Sequence, residues 1–110
     1  MTYMLKYRRK FLSQTEIGRW KPMIRKEIHF YGQVQGVGFR YRAKYMASSI
    51  GITGWVRNEW DGSVTMEVQG SEIQINELLK QINASSYIMI RNMEYKELPL
   101  NENERGFHVR

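Results

Sequence analysis

The spacing of apolar residues switches between a period of two and a helical period along the chain, and this order restricts the fold more than any other feature. In "KEIHFYGQV", apolar residues such as Ile28 and Phe30 fall on one side with a period of two, which predicts a strand. In "FRYRAKYMASSIG" they recur at helical spacing and end before Gly51, a typical helix-terminating residue. The first part of the body is therefore predicted to be a strand followed by a helix.

The remaining segments extend this pattern to a complete domain. "GWVRN" and "SVTMEVQG" predict two strands joined by a hairpin, because the turn between them contains an Asp-Gly pair. Ser71 and Gln74 match a capping box and predict the start of a second helix. "SSYIMIRNMEYKEL" predicts a fourth strand, and "FHVR" predicts a short last one. The order β-α-β-β-α-β with a terminal strand predicts an α+β, ferredoxin-like sandwich, in which two helices cover one face of an antiparallel sheet.

The positive charge is concentrated at the N-terminus. The net charge is +6, but residues 1–26 contain eight basic residues and one acidic residue, whereas residues 27–110 contain nine basic and ten acidic residues. A domain that binds nucleic acid through its folded surface carries positive charge on that surface, so we do not expect nucleic acid as a partner. We interpret residues 1–22 as a flexible basic extension, with a functional arm as the alternative, and residues 23–110 as the functional domain.

The inventory of reactive side chains excludes several kinds of chemistry. The chain has no cysteine, which suits a reducing compartment, and its two histidines, His29 and His108, lie in predicted strands without partners at metal-ligand spacing. Glu59 and Asp61 flank the hairpin turn and are predicted to be solvated. No apolar run approaches the roughly 18 residues of a membrane span. Any enzyme of this sequence is therefore expected to work without a covalent nucleophile, a metal or a histidine base.

The stretch "GQVQGVGFR", Gly32 to Arg40, has the composition of an anion-binding loop. Gly36 and Gly38 allow successive backbone N–H groups to turn toward one centre, and the following helix adds unpaired donors and the positive end of its dipole. The Arg40 guanidinium, in the first helical turn, matches two phosphate oxygens. The alternative is a tight strand-to-helix turn with a solvated arginine.

A second polar residue stands at the end of the strand "GWVRN". Asn58 cannot act as a general base near neutral pH, but its amide donates and accepts hydrogen bonds and can therefore position a water molecule. The predicted topology allows this strand to lie beside the glycine loop. The alternative is that Asn58 only begins the hairpin turn.

Together, "GQVQGVGFR" and "GITGWVRNEWDGSVTMEVQG" resemble the two signature motifs of acylphosphatases, and the resemblance covers about Ile24 to Arg110. It implies a metal-free and cofactor-free enzyme that hydrolyses the carboxyl–phosphate bond of acyl phosphates. It also implies that Arg40 binds the phosphate, that Asn58 orients the attacking water and that loop amides complete the cradle. Those amides belong to Gln33, Val34, Gln35, Gly36 and Val37. We expect a cytoplasmic monomer whose partner is a small acyl phosphate.

The sequence departs from the family pattern at a few positions and leaves two other functions open. The Gly-Pro pair common after the second helix is replaced within "NASSYIMI", and Glu59, directly after Asn58, would repel the substrate unless it faces away. Trp60 is predicted to lie near the hairpin tip, where it would shape access or cover the sheet edge. The first alternative is a relative of the carbamoyl-phosphate-handling domain of hydrogenase-maturation carbamoyltransferases. The second is a ferredoxin-like module that binds anions or RNA.

Overall fold

The computed structural model describes residues 22–110, so the predicted basic extension lies, apart from Pro22, outside the described residues. The described part contains five strands and two helices in the predicted order. These elements are β1 (Met23–Gln33), α1 (Phe39–Ile50), β2 (Thr53–Asn58), β3 (Val64–Ser71), α2 (Glu72–Asn83), β4 (Met89–Leu98) and β5 (Phe107–Val109). Within residues 22–110, no helix is long and apolar enough to cross a membrane.

The strands form one sheet in the order β4-β1-β3-β2-β5. β1 pairs antiparallel with β3 and β4, and β2 pairs antiparallel with β3. β5 pairs in parallel with β2, so that Gly54 lies opposite Phe107 and Val56 opposite Val109. The predicted ferredoxin-like fold is therefore confirmed, with one refinement: the short terminal strand makes the sheet mixed.

Both helices pack on the same face of the sheet and share one apolar core with it. Alternate residues of the strands point to this core because strand side chains alternate between the two faces. Phe30 of β1 meets Phe39 of α1 edge-on, with ring centroids 4.9 Å apart, so the first turn of α1 is held against the sheet. The fully buried core side chains are Ile28, Phe30, Ala43, Ala47, Val56, Val64, Met66, Val68, Ile75, Leu78 and Ile82.

The predicted capping box at the start of α2 is confirmed. Ser71 Oγ accepts a hydrogen bond from the Gln74 N–H at 3.2 Å, and Gln74 Oε1 accepts one from the Ser71 N–H at 2.8 Å. Gln74 Nε2 also donates to the carbonyl oxygen of Ile50 at 3.1 Å. The same glutamine therefore begins α2 and joins it to the end of α1.

The turn between α2 and β4 occupies residues 84–88, so β4 begins at Met89, later than the stretch from Ser85 that the sequence predicts. Hydrogen bonds from the Ala84 N–H to the Lys80 carbonyl and from the Ser85 N–H to the Ile82 carbonyl close this turn. The stretch in which the sequence departs from the pattern that it resembles therefore falls mainly in this turn.

A buried arginine anchors the loop that leads to β5. Arg25, on the sheet face opposite the helices, is 4% exposed. Its guanidinium makes two hydrogen bonds to the Glu104 carboxylate, at 2.8 and 3.1 Å, and contacts Glu67 Oε1 at 2.9 Å. Gln69, which also contacts Arg25, exchanges hydrogen bonds with the backbone of Asn101. These contacts fix residues 101–104 on the sheet and so determine where β5 lies.

Candidate active site

The loop between β1 and α1 takes a backbone shape that favours glycine. Gly36 and Gly38 have φ angles of 73° and 79°, in the left-handed region that costs a residue with a side chain about 1–2 kcal/mol. A Cβ atom at either position would meet nothing within 4 Å, so the backbone conformation, not lack of space, selects glycine here. Gly38 is the N-cap of α1 and offers no side-chain cap, and the first turn contains no acidic residue.

The loop therefore presents backbone donors together with a helix N-terminus. Within residues 22–110, the N–H groups of residues 35–38 donate to no other residue, while the Gly38 carbonyl oxygen accepts from the Arg42 N–H at 3.0 Å. Unpaired donors at the positive end of a helix dipole favour an anion. The predicted anion loop thus has the donors that such a site requires.

A cavity of about 170 Å³ lies at this loop and brings the two motifs of the sequence together. Its lining residues are Val34, Gly36, Gly38, Phe39, Arg40, Tyr41 and Asn58. Asn58 reaches it because Val56 and Asn58 lie on the same face of β2, the face that packs against α1. Of the other predicted loop residues, the Gln33 side chain is exposed and Val37 packs against the core. Larger depressions, of about 530 Å³ between α2 and β4 and about 590 Å³ along α1, do not combine a glycine loop with these two side chains.

Arg40 is held at the cavity by Arg110, the residue that follows β5. Its Nη1 donates to the backbone carbonyl oxygen of Arg110 at 3.1 Å, and the Arg110 N–H donates to the Val56 carbonyl at 2.8 Å. This is the one hydrogen bond that the Arg40 side chain makes within the described residues, so most of its five N–H donors remain available to a bound anion. The sequence contains no signal for the contribution of Arg110, which depends on the parallel pairing of β5.

Glu59 faces away from the cavity, as predicted. Its carboxylate accepts hydrogen bonds from Thr65 Oγ1 and from Arg57 Nη2, the latter at 3.2 Å. The hydrogen bond from Thr65, followed by the hydrogen bond and charge of Arg57, lowers the pKa of Glu59 below its usual value despite partial burial. Glu59 is thus an ionised carboxylate paired on the outer side of the hairpin. Trp60 beside it is fully exposed.

Asp61 is exposed, as predicted, and its carboxylate also organises the hairpin turn. Asp61 Oδ1 accepts hydrogen bonds from the N–H of Ser63 at 3.0 Å and from its hydroxyl at 2.5 Å. The Ser63 side chain and backbone N–H lower the pKa of Asp61. His29 Nε2 lies 2.6 Å from Ser63 Oγ. Since the hydroxyl proton of Ser63 points to Asp61, His29 is the donor in this contact.

Neither histidine lines the cavity. His29 is engaged with Ser63, and His108 Nε2 lies 2.6 Å from the carbonyl oxygen of Arg105. In the described part of the chain, no group of three or more His, Asp or Glu side chains is arranged to hold a metal ion. Both histidines therefore make contacts outside the cavity.

The Gln35 side chain has a role that the sequence does not predict, since only the backbone amide of Gln35 is predicted to take part in the site. Gln35 Nε2 donates to the carbonyl oxygens of Glu59 at 2.7 Å and of Ser63 at 2.8 Å. The side chain therefore joins the glycine loop to the hairpin turn that follows Asn58. The only sequence sign of this contact is a polar residue between Val34 and Gly36, in a loop predicted to lie beside the second motif.

The fold and cavity define a class: a small ferredoxin-like domain with a glycine loop, an arginine and an asparagine around an anion-sized cavity. The sequence model of the acylphosphatase family matches residues 26–109. An acylphosphatase from Clostridium perfringens is 41% identical over 86 residues, which cover 77% of this chain and 97% of that protein. The chain therefore belongs to the acylphosphatase family, whose members act on acyl phosphates.

Solved structures agree with this assignment. The crystal structure of acylphosphatase from Bacillus subtilis matches with a TM-score of 0.71 and 29% identity, covering 78% of this chain and 97% of that one. The crystal structure of T. kodakarensis HypF matches with a TM-score of 0.68 and 28% identity, covering 79% of this chain but 12% of that one. A similar domain thus also forms a small part of a much larger protein.

Proposed function

We propose that this protein hydrolyses the carboxyl–phosphate bond of small acyl phosphates by direct attack of water on phosphorus. The observation that carries the proposal is that one cavity contains the glycine loop, Arg40 and Asn58. The family supplies the reaction class. The geometry supports a particular division of roles among these groups.

Arg40 and the loop amides would bind the phosphoryl group. The amides of residues 33–37 would surround its oxygens, and those of residues 35–37 donate to no other residue within residues 22–110. The planar guanidinium offers paired donors that match two of the phosphate oxygens. Phosphoryl transfer spreads negative charge over these oxygens in the transition state, so fixed donors lower the barrier mainly by positioning and charge stabilisation. The absence of an acidic residue from the first turn of α1 keeps repulsion from this site low.

Asn58 would hold the attacking water. Its side chain lines the same cavity from the end of β2, opposite the helix that carries Arg40. The water oxygen forms a bond to phosphorus while the bond between phosphorus and the acyl oxygen breaks, and the carboxylate leaves with the electron pair. Because the carboxylic acid has a pKa of roughly 4, the leaving group needs no general acid.

The proton of the water would pass to a phosphoryl oxygen of the substrate. Both histidines have partners outside the cavity, and Glu59 is turned away from it. The products are then carboxylate and protonated inorganic phosphate, with no enzyme group acting as base. The pH profile of kcat should accordingly lack an inflection from an enzyme histidine.

Benzoyl phosphate hydrolysis in ¹⁸O-labelled water, with a chelator present, tests this proposal. The expected result is turnover unaffected by the chelator, with ¹⁸O in inorganic phosphate and none in benzoate. Label in benzoate would show attack at the carbonyl carbon and would contradict the proposed geometry. Turnover that requires an added metal ion would contradict the proposed roles of Arg40 and the amides.

The carboxyl–phosphate bond that carbamoyl phosphate shares with other acyl phosphates supports it as a second candidate substrate. Parallel measurement of kcat/KM for benzoyl and carbamoyl phosphate separates the candidates, and we expect benzoyl phosphate to be preferred. RNA binding through the open sheet face receives no such support. Trp55 on that face is 7% exposed, and the guanidinium groups of Arg57 and Arg110 lie 4.9 and 4.5 Å from its ring, so the ring is not available for stacking with a base.

A further inference from the structure

The Gln35 side chain connects the two halves of the candidate active site. Its amide nitrogen donates to Glu59 O at 2.7 Å and to Ser63 O at 2.8 Å, and Glu59 directly follows Asn58. Gln35 itself lies between Val34 and Gly36, which line the cavity. We propose that Gln35 is a positioning residue that fixes Asn58 relative to the phosphate loop. This inference rests on the proposed hydrolysis.

Gln35 does not line the cavity, so its action on the reaction would be indirect. Its two acceptors are the carbonyl groups that close the hairpin turn: Ser63 O also accepts from the Glu59 N–H at 2.9 Å, and Glu59 O from the Gly62 N–H at 3.3 Å. Any shift of this turn relative to the loop would lengthen both of its hydrogen bonds to Gln35. The turn and the loop are therefore expected to move as one unit.

The turn does not depend on Gln35 for its own shape. Its backbone hydrogen bonds, the Asp61–Ser63 contacts and the contact from His29 to Ser63 hold it closed and against β1. Removing the Gln35 amide should consequently leave the hairpin and the fold intact. Such a variant would lose only the direct links from Gln35 in the loop to Glu59 and Ser63 in the turn. This separation makes a positioning role testable apart from stability.

Gln35→Met removes both hydrogen bonds while nearly preserving the length of the side chain. Small misplacement of a positioned group lowers the rate strongly, so kcat for benzoyl phosphate should fall about 10–100-fold. The competitive inhibition constant of inorganic phosphate should stay close to that of the wild type, because Arg40 and the loop amides remain. Gln81→Met is the matched control, since Gln81 Nε2 donates to Glu77 at 2.8 Å within α2 and does not line the cavity.

Gln35→Glu gives a signature that a purely structural role would not produce. At neutral pH its carboxylate would face two carbonyl oxygens and could donate to neither. Once protonated, it can donate one hydrogen bond. The kcat of Gln35→Glu should therefore rise relative to that of Gln35→Met as the pH falls, because only the glutamate variant regains a donor. Circular dichroism at each pH confirms that both variants remain folded.

The outcomes distinguish this inference from the proposed function. A fall in kcat with unchanged phosphate inhibition, together with partial recovery of Gln35→Glu at low pH, would support the positioning role. Three results would overturn the positioning role and leave the proposed function standing. They are near-normal kcat in Gln35→Met, parallel loss of kcat and phosphate binding in that variant, and identical pH profiles for the two variants. Absence of turnover in the wild-type protein would overturn the proposed function and this inference together.

Discussion

Replacing Arg25 by methionine is expected to destabilise the domain by about 3 kcal/mol, because the change leaves two carboxylates without their cation. The Arg25 side chain is 4% exposed, and those of Glu104 and Glu67 are 9% and 19% exposed. Breaking a buried pair by removing one partner typically costs about 3–5 kcal/mol, whereas an exposed pair contributes about 0–1 kcal/mol. The partial solvation of Glu67 places the expected cost at the lower end of the buried range.

Urea unfolding followed by tryptophan fluorescence measures this cost. For a domain of this size, 3 kcal/mol corresponds to a fall in Tm of roughly 12–24 °C. Lys96→Met is the matched control, because Lys96 lies 3.8 Å from Glu27 with a side chain that is 66% exposed. That substitution should change the unfolding free energy by less than about 1 kcal/mol.

The dependence on pH provides an independent check of the mechanism. In the wild type, burial acts to raise the pKa of Glu104, but the hydrogen bond and the charge of Arg25 lower it overall. Its stabilising contribution is therefore present above the unfolded-state pKa of roughly 4.3 and is lost as the pH falls. Without Arg25, its hydrogen bond and charge no longer lower the pKa of Glu104, while burial still acts to raise it. Protonation of Glu104 as the pH falls should therefore cost the variant less stability than it costs the wild type. The difference in stability between wild type and variant should shrink from pH 7 to pH 4.

The double variant Arg25→Met/Glu104→Gln tests the same reasoning without a change of pH. Replacing the Glu104 carboxylate by an amide should restore part of the stability lost in Arg25→Met, since a neutral amide is easier to bury than an unpaired carboxylate. A cost of Arg25→Met no larger than that of Lys96→Met, or a cost independent of pH, would refute the account of this cluster.

Three further substitutions test the loop, the helix start and the rim of the cavity. Ser71→Ala should lower the unfolding free energy by about 1 kcal/mol through loss of the capping box, and no change in urea unfolding would contradict that role. Gly38→Ala should cost about 1–2 kcal/mol from backbone strain alone, since the added Cβ meets nothing within 4 Å, and a cost above that range would indicate a clash instead. Tyr41→Ala should raise KM for benzoyl phosphate more than for acetyl phosphate, because the exposed Tyr41 ring lines the cavity where an aromatic acyl group would lie. Equal effects on both substrates would argue against contact with the acyl group.

Much of the fold is predictable from the sequence because its signals are local. The capping box of Ser71 and Gln74, the Asp-Gly pair of the hairpin and the apolar periods each act within a few residues, and the structure confirms the elements they predict. The direction of β5 is not predictable in this way. It depends on contacts of Arg25 and Gln69 with residues distant in the sequence, in the loop that leads to β5.

The candidate site shows the same division between local and distant effects. The glycine loop is visible in the sequence because its glycines directly precede a predicted helix. Asn58 is visible because it ends a predicted strand. The outward orientation of Glu59 also follows from simple alternation along an extended chain. The contact of Arg40 with Arg110, and the hydrogen bonds of Gln35 to the hairpin, join residues far apart in sequence. The single sequence does not identify the partners of Arg40 and Gln35, so only the three-dimensional arrangement shows which residues they contact.

The most direct test of the central claim compares Arg40→Met with Asn58→Ala for both turnover of benzoyl phosphate and inhibition by inorganic phosphate. Arg40→Met should lower kcat/KM by roughly 10³-fold or more and weaken phosphate inhibition, because the charged donor for the phosphoryl group is lost. Asn58→Ala should lower kcat by roughly 10²–10³-fold while phosphate inhibition stays near the wild-type value, because only the group that positions the water is removed. Near-normal turnover in either folded variant, or phosphate inhibition unchanged in Arg40→Met, would contradict the proposed roles.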